Sequence, residues 1–75
     1  MLVWRNVLEE RYLCQVVRND ESNGELQIFN KEGVPIHKEH VELSHNSLFQ
    51  PDEFDVQMWE WKCFAVIDTI VEEEL

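Results

Sequence analysis

Histidines and cysteines are the side chains of this 75-residue sequence best suited to metal or nucleophilic chemistry, and there are only three of the first and two of the second. His37-Lys38-Glu39-His40, with His45 beyond it, has the superficial spacing of a ligand pair. Residues three apart on an uninterrupted strand point to opposite faces, so His37 and His40 converge only across a bulge, and no cysteine lies nearby to complete a zinc set. Solvated strand and loop histidines are expected there, and no metal. Cys14 falls in a strand-like run and Cys63 on an apolar helical stripe, where a core thiol is expected. Nothing around either cysteine, or around any serine, supplies the base and oxyanion donors of a nucleophilic site. The carboxylates of Glu9-Glu10, Asp52-Glu53 and the terminal acids lie in polar runs, with no apolar pocket to raise a pKa. Both glycines sit in turn contexts, which leaves no phosphate-cradling loop. The expectation is a non-enzymatic protein without a cofactor.

The remaining chemistry is recognition by charge. Sixteen Asp and Glu face six Lys and Arg, a formal net charge of −10. Residues 1–51 carry eight acids and five bases, whereas residues 52–75 carry eight acids and one base. The C-terminal third is therefore an acidic element. Its field repels nucleic-acid phosphates and anionic membrane surfaces and favours a basic protein partner. The same charge also serves plain solubility. With 44% hydrophobic residues, 3 Trp and 4 Phe, the chain is expected to fold as one domain over residues 1–75, too short for a second. No apolar run approaches the roughly 18 residues of a membrane span. Leu2-Val3-Trp4 gives way at once to Arg5 and Asn6, unlike a signal peptide, so a reducing, cytoplasmic setting is expected; whether Cys14 and Cys63 pair is left open.

The elements that must position these groups follow from periodicity. Tyr12, Cys14 and Val16 alternate with Leu13, Gln15 and Val17, the period of a strand. Residues 19–24 concentrate turn formers, with Asn23-Gly24 suited to positive φ, and Leu26, Ile28 and Phe29 continue in a second strand. Asn30-Lys31-Glu32-Gly33 is a second turn, and Val34-Pro35-Ile36 opens a third strand running to Leu43. Its apolar positions change parity between Ile36 and Val41, which predicts a bulge near His37 to His40, and Pro35 favours a sheet edge. Leu2-Val3-Trp4 is a candidate fourth strand, with residues 6–10 as its turn. Residues 44–50 read as a loop. Pro51-Asp52-Glu53 then starts a helix expected to reach about Val71, with Glu72-Glu73-Glu74 fraying at the negative end of its dipole. The fold class is thus α+β: a three- to four-stranded antiparallel β-meander packed against one C-terminal α-helix.

At 100° per residue, Val56, Trp59, Cys63, Val66, Ile67 and Ile70 share one face of that helix and supply half the core. Trp61 falls on the opposite face, among Gln57, Glu60, Asp68 and Glu72. With Met58 and Phe64 flanking it, an apolar patch ringed by carboxylates results, the composition of an interface anchor with a charged rim. The competing reading folds the N-terminal segment or the loop around Phe49 over Trp61. The candidate partner-binding residues are Met58, Trp61 and Phe64 with Glu60, Asp68 and Glu72.

The stretch from Leu43 to Trp59, with Phe49-Gln50-Pro51-Asp52 and Asp55-Val56, together with Val66-Ile67-Asp68, resembles the C-terminal half of small uncharacterised acidic proteins carried by bacteriophages and prophages. Leu2-Val3-Trp4-Arg5-Asn6 and the run from Tyr12 to Arg18 are similar to their opening strands. The resemblance implies a phage-type protein acting in the host cytoplasm and carries no assigned activity or site residues. The leading expectation is a small acidic protein that binds a basic host protein. Its sharper form is a DNA mimic or inhibitor in which Asp52, Glu53, Asp55, Glu60, Asp68 and the glutamates 72–74 stand in for phosphates. The alternative is a structural or assembly subunit forming a homodimer or larger homo-oligomer through a strand edge or the Trp61 face.

Overall fold

The computed structural model of the chain describes residues 1–43 and 51–74. Four strands, β1 (Leu2–Leu8), β2 (Tyr12–Arg18), β3 (Asn23–Phe29) and β4 (Pro35–Glu42), precede a single helix, α1 (Glu53–Glu74). The strands form one antiparallel sheet in the order β1-β2-β3-β4. This is the expected α+β meander, with the fourth strand present. The expected loop over residues 44–50, including His45 and Phe49, lies outside the described residues.

Each turn has its own chemistry. β1 runs to Leu8, further than expected, because Val7 pairs with Leu13 and Leu8 with Tyr12, which buries Leu8 in the core. The turn is thereby confined to residues 9–11, with Glu9 and Glu10 both left-handed at φ 55° and 59°, and is closed by the Arg11 amide donating to the Leu8 carbonyl at 3.2 Å. Two positive φ values match the twist of a hairpin but suit Asn-Gly, and a side chain there costs about 1–2 kcal/mol per residue. Between β2 and β3 the organiser is Asp20, whose carboxylate accepts the Ser22 and Asn23 amides at 2.9 and 2.8 Å. The Ser22 amide, then the Asn23 side chain, hold its pKa below the ordinary carboxylate value. The expected left-handed turn at Asn23-Gly24 is corrected: both residues belong to β3, and the only glycine at positive φ is Gly33. Gly24 serves close packing instead. A Cβ there would stand 2.7 Å from the Val17 carbonyl oxygen and 2.8 Å from Leu43 Cδ1. The third turn is as expected, with Gly33 at φ 81° and its amide bonded to the Asn30 carbonyl at 2.9 Å.

The bulge in the last strand exists but sits earlier than expected. Ile28 pairs with His37 and Phe29 with Pro35, so Ile36 is the additional residue. Ile36 thereby reaches the core while Val34 stays 52% exposed. One inserted residue corrects the parity of Ile36 but cannot also carry Val34, which lies beyond the strand. Pro35 opens an edge strand, where its missing N–H breaks no ladder.

Asp52 caps α1: its Oδ1 accepts the Asp55 amide at 2.8 Å and its carbonyl the Val56 amide at 3.1 Å. The helix continues through Glu74, past the expected end near Val71. No Gly or Pro interrupts it, and the helix propensity of Glu outweighs the unfavourable dipole of an acidic last turn. Trp59, Cys63 and Ile67 are fully buried, packed in one cluster with Cys14 and Val16 of β2 and Leu26 and Ile28 of β3. Trp59 also packs on Trp4 of β1, ring centroids 5.9 Å apart and planes at 45°. Cys14 and Cys63, far apart in sequence, meet as free, buried thiols between sheet and helix. Their hydrogen bond, with burial, pushes the Cys63 thiol well above its ordinary pKa, while the same bond holds Cys14 lower. Among the described residues no helix is long and apolar enough to cross a membrane.

Candidate functional site

α1 is apolar on two sides, and among the described residues only one of them is covered. The inner stripe meets the sheet. On the outer side Phe54 and Trp61 are 74% and 78% exposed, and Met58 and Phe64 each 37%. Phe54, Met58 and Trp61 follow at i, i+4 and i+7, so they stack along one line of the helix. With Gln57 they line a shallow groove of about 150 Å³. A helix that is apolar all round belongs in an interior, and here the described residues supply a covering surface for one side only.

The expected site residues separate into two groups. Met58 and Trp61 are brought together in the groove, joined by Phe54, which the sequence reading passed over as part of the helix start. Its signal was present, because it precedes Trp61 by seven residues and therefore lies within about 20° of it on the helical wheel. Phe64 and the half-buried Glu60 stand on the flank of this line. Asp68 and Glu72 are exposed on the same line but roughly 10 and 16 Å further along the axis. The site is thus an apolar N-terminal half followed by an acidic C-terminal half. The other carboxylates of the helix, Glu53, Asp55 and Glu73 among them, are distributed around its circumference instead of forming a single track. The N-terminal segment, expected in one reading to cover Trp61, is committed to β1 and places Trp4 against Trp59 instead. Phe49, the other expected cover, lies outside the described residues.

A second unpartnered surface lies on the opposite side of the sheet. A chain of polar groups crosses it: the Arg5 guanidinium donates to Gln15 Oε1 at 3.1 Å, Gln15 to Gln27 Oε1 at 2.8 Å, and Gln27 to Glu25 Oε1 at 2.7 Å. Beside this chain, Val7, Leu13 and Phe29 pair across three strands and floor an open concavity of about 470 Å³ rimmed by Arg5, Arg11 and Lys31. Sequence reading did not single out this face. The available signal was that the alternate positions of β2, Leu13 and Val17, are apolar as well.

His37 and His40 diverge. His37 Nε2 lies 3.3 Å from Glu39 Oε1 on the helix side, where Lys62 Nζ also reaches Glu39 Oε2 at 3.4 Å. His40 Nε2 lies 2.8 Å from Asn23 Oδ1. Among the described residues no three His, Cys, Asp or Glu side chains cluster as a metal site would require.

No protein-family model matches the chain, and no curated protein and no solved structure matches it. The class is therefore set by the fold alone: an α+β domain made of an open four-stranded meander with one helix on one face.

Proposed function

We propose that this is a binding protein that docks a basic protein partner through the outer face of α1, with Trp61 as the anchor. The observation that carries the reading is the 78% exposure of Trp61 in line with Phe54 and Met58 on a helix already fully engaged on its other side. A large aromatic in that position costs solvation free energy in the isolated molecule, and a partner pocket recovers it. Glu60 on the flank of the line, with Asp68 and Glu72 further along the helix, adds charge of one sign, which selects bases on the partner and speeds encounter. Carboxylates dispersed around the helix suit scattered Lys and Arg on a protein better than the two regular phosphate tracks of duplex DNA, so a DNA mimic is the less favoured form. The resemblance to phage-borne proteins makes the partner a protein of a bacterial host, met in its cytoplasm.

The test is affinity capture from a bacterial lysate at low and high salt, comparing the natural chain with Trp61→Ala. A basic protein retained by the natural chain at low salt, and lost with the variant, supports the reading. Equal recovery by both proteins overturns it.

A further inference from the structure

The two surfaces left open among the described residues are complementary to each other. The outer face of α1 presents protruding aromatics and acids, Glu60, Asp68 and Glu72. The open sheet face presents a concavity with an apolar floor of Val7, Leu13 and Phe29 and a basic rim of Arg5, Arg11 and Lys31, against a single acid, Glu10. No hydrogen bond or ion pair among the described residues engages the side chains of Arg11 and Lys31. We infer that a partner of α1 is a second copy of this chain, acidic as a whole but basic at the rim of its open sheet face, which receives the Trp61 line of its neighbour.

This rests on the reading of α1 as a docking surface and names one occupant for it. The two surfaces differ in chemistry, so the contact is heterologous: each copy offers one helix face and one sheet face, and both remain free at the ends of any dimer. The packing repeats what already exists inside the molecule, a helix laid on a sheet through an apolar stripe, now between copies and with opposite charges at the margin. A self-complementary contact of helix on helix would instead leave the acidic half of each line and the basic rim of each sheet unpaired. Sheet face on sheet face would set the basic rim of Arg5, Arg11 and Lys31 against its own copy. A standard interface takes about 800 Å² from each partner. That is a modest share of the 5318 Å² the chain exposes.

The experiment separates a heterologous contact from any symmetric one. Two variants are prepared, Trp61→Ala, which disables the helix face, and Arg11→Glu with Lys31→Glu, which reverses the basic rim. All three substitutions fall on exposed side chains, and circular dichroism confirms that both variants fold. In sedimentation velocity the natural chain grows with concentration. Each variant alone associates at least tenfold more weakly. An equimolar mixture of the two forms a dimer and nothing larger, because the intact helix of the rim variant docks on the intact sheet of the Trp61 variant. A natural chain that stays monomeric up to about 1 mM overturns the inference, and so does a mixture no more associated than its components. If self-association is absent while lysate capture still depends on Trp61, the inference falls and the helix reading stands. If Trp61→Ala changes neither, both fall.

Discussion

Trp59 and Trp61 are two residues apart on one helix and meet opposite fates: the first is 1% exposed and packed at a tilt on Trp4, the second 78% exposed with no ring against it among the described residues. Nothing in residue type distinguishes them. The 200° between them on the wheel does, because the sheet reaches only one side of α1. The difference teaches that an apolar residue has structural meaning only through what covers it. The inner face uses its apolar area to hold the fold. The outer face keeps Phe54 and Trp61 in water.

Substitutions can break this contrast or sharpen it. The largest effect belongs to Trp59→Ala, which empties the centre of the core and is expected to cost about 3–5 kcal/mol, enough to leave a domain this small largely unfolded in urea titration. Should Trp59→Ala prove mild, the inner face would not be the structural one. Gly24→Ala comes next. Its Cβ collides with the Val17 carbonyl and with Leu43, so a loss of about 1–3 kcal/mol in the same titration is expected. In the opposite direction, Glu9→Asn with Glu10→Gly puts a side chain tolerant of the left-handed region at the first position and removes the side chain at the second, and should stabilise the chain by about 1–2 kcal/mol in total. That background raises the baseline from which variants of both faces can be compared as folded proteins.

A smaller effect is set by pH. Cys63 is held above its ordinary pKa in the folded chain by the Cys14 hydrogen bond and by burial, so the folded state keeps a proton that the unfolded state releases. The stability this contributes is whole below the unfolded thiol value of about 8.5 and falls as pH rises above it. Thermal unfolding followed from pH 7 to about pH 10 should show that decline, and Cys63→Ala should flatten it. The smallest expected effect on stability is that of Trp61→Ala, within about 0.5 kcal/mol of the natural chain, alongside a loss of partner affinity of about 2 kcal/mol or more. A large fall in melting temperature for Trp61→Ala would erase the contrast and make the outer face structural as well.

What the sequence determined by itself is whatever depends on near neighbours. The alternation through Tyr12, Cys14 and Val16, the Asn30 to Gly33 turn, the Asp52 start of α1 and the stripe of Trp59, Cys63 and Ile67 are written at spacings of two to four residues, where backbone geometry fixes which side chains share a face. Trp61 was legible as an outer residue for the same reason. Only the tertiary structure decided what depends on distant partners. The role of Gly24 needed Leu43, and the full length of β1 needed the pairing of Leu8 with Tyr12. The bulge at Ile36 needed the register against Phe29, and the meeting of Cys14 with Cys63 needed the helix docked on β2. The open sheet face needed most of all, because a strand's alternation states that two faces exist, and only packing chooses which of them the helix will cover.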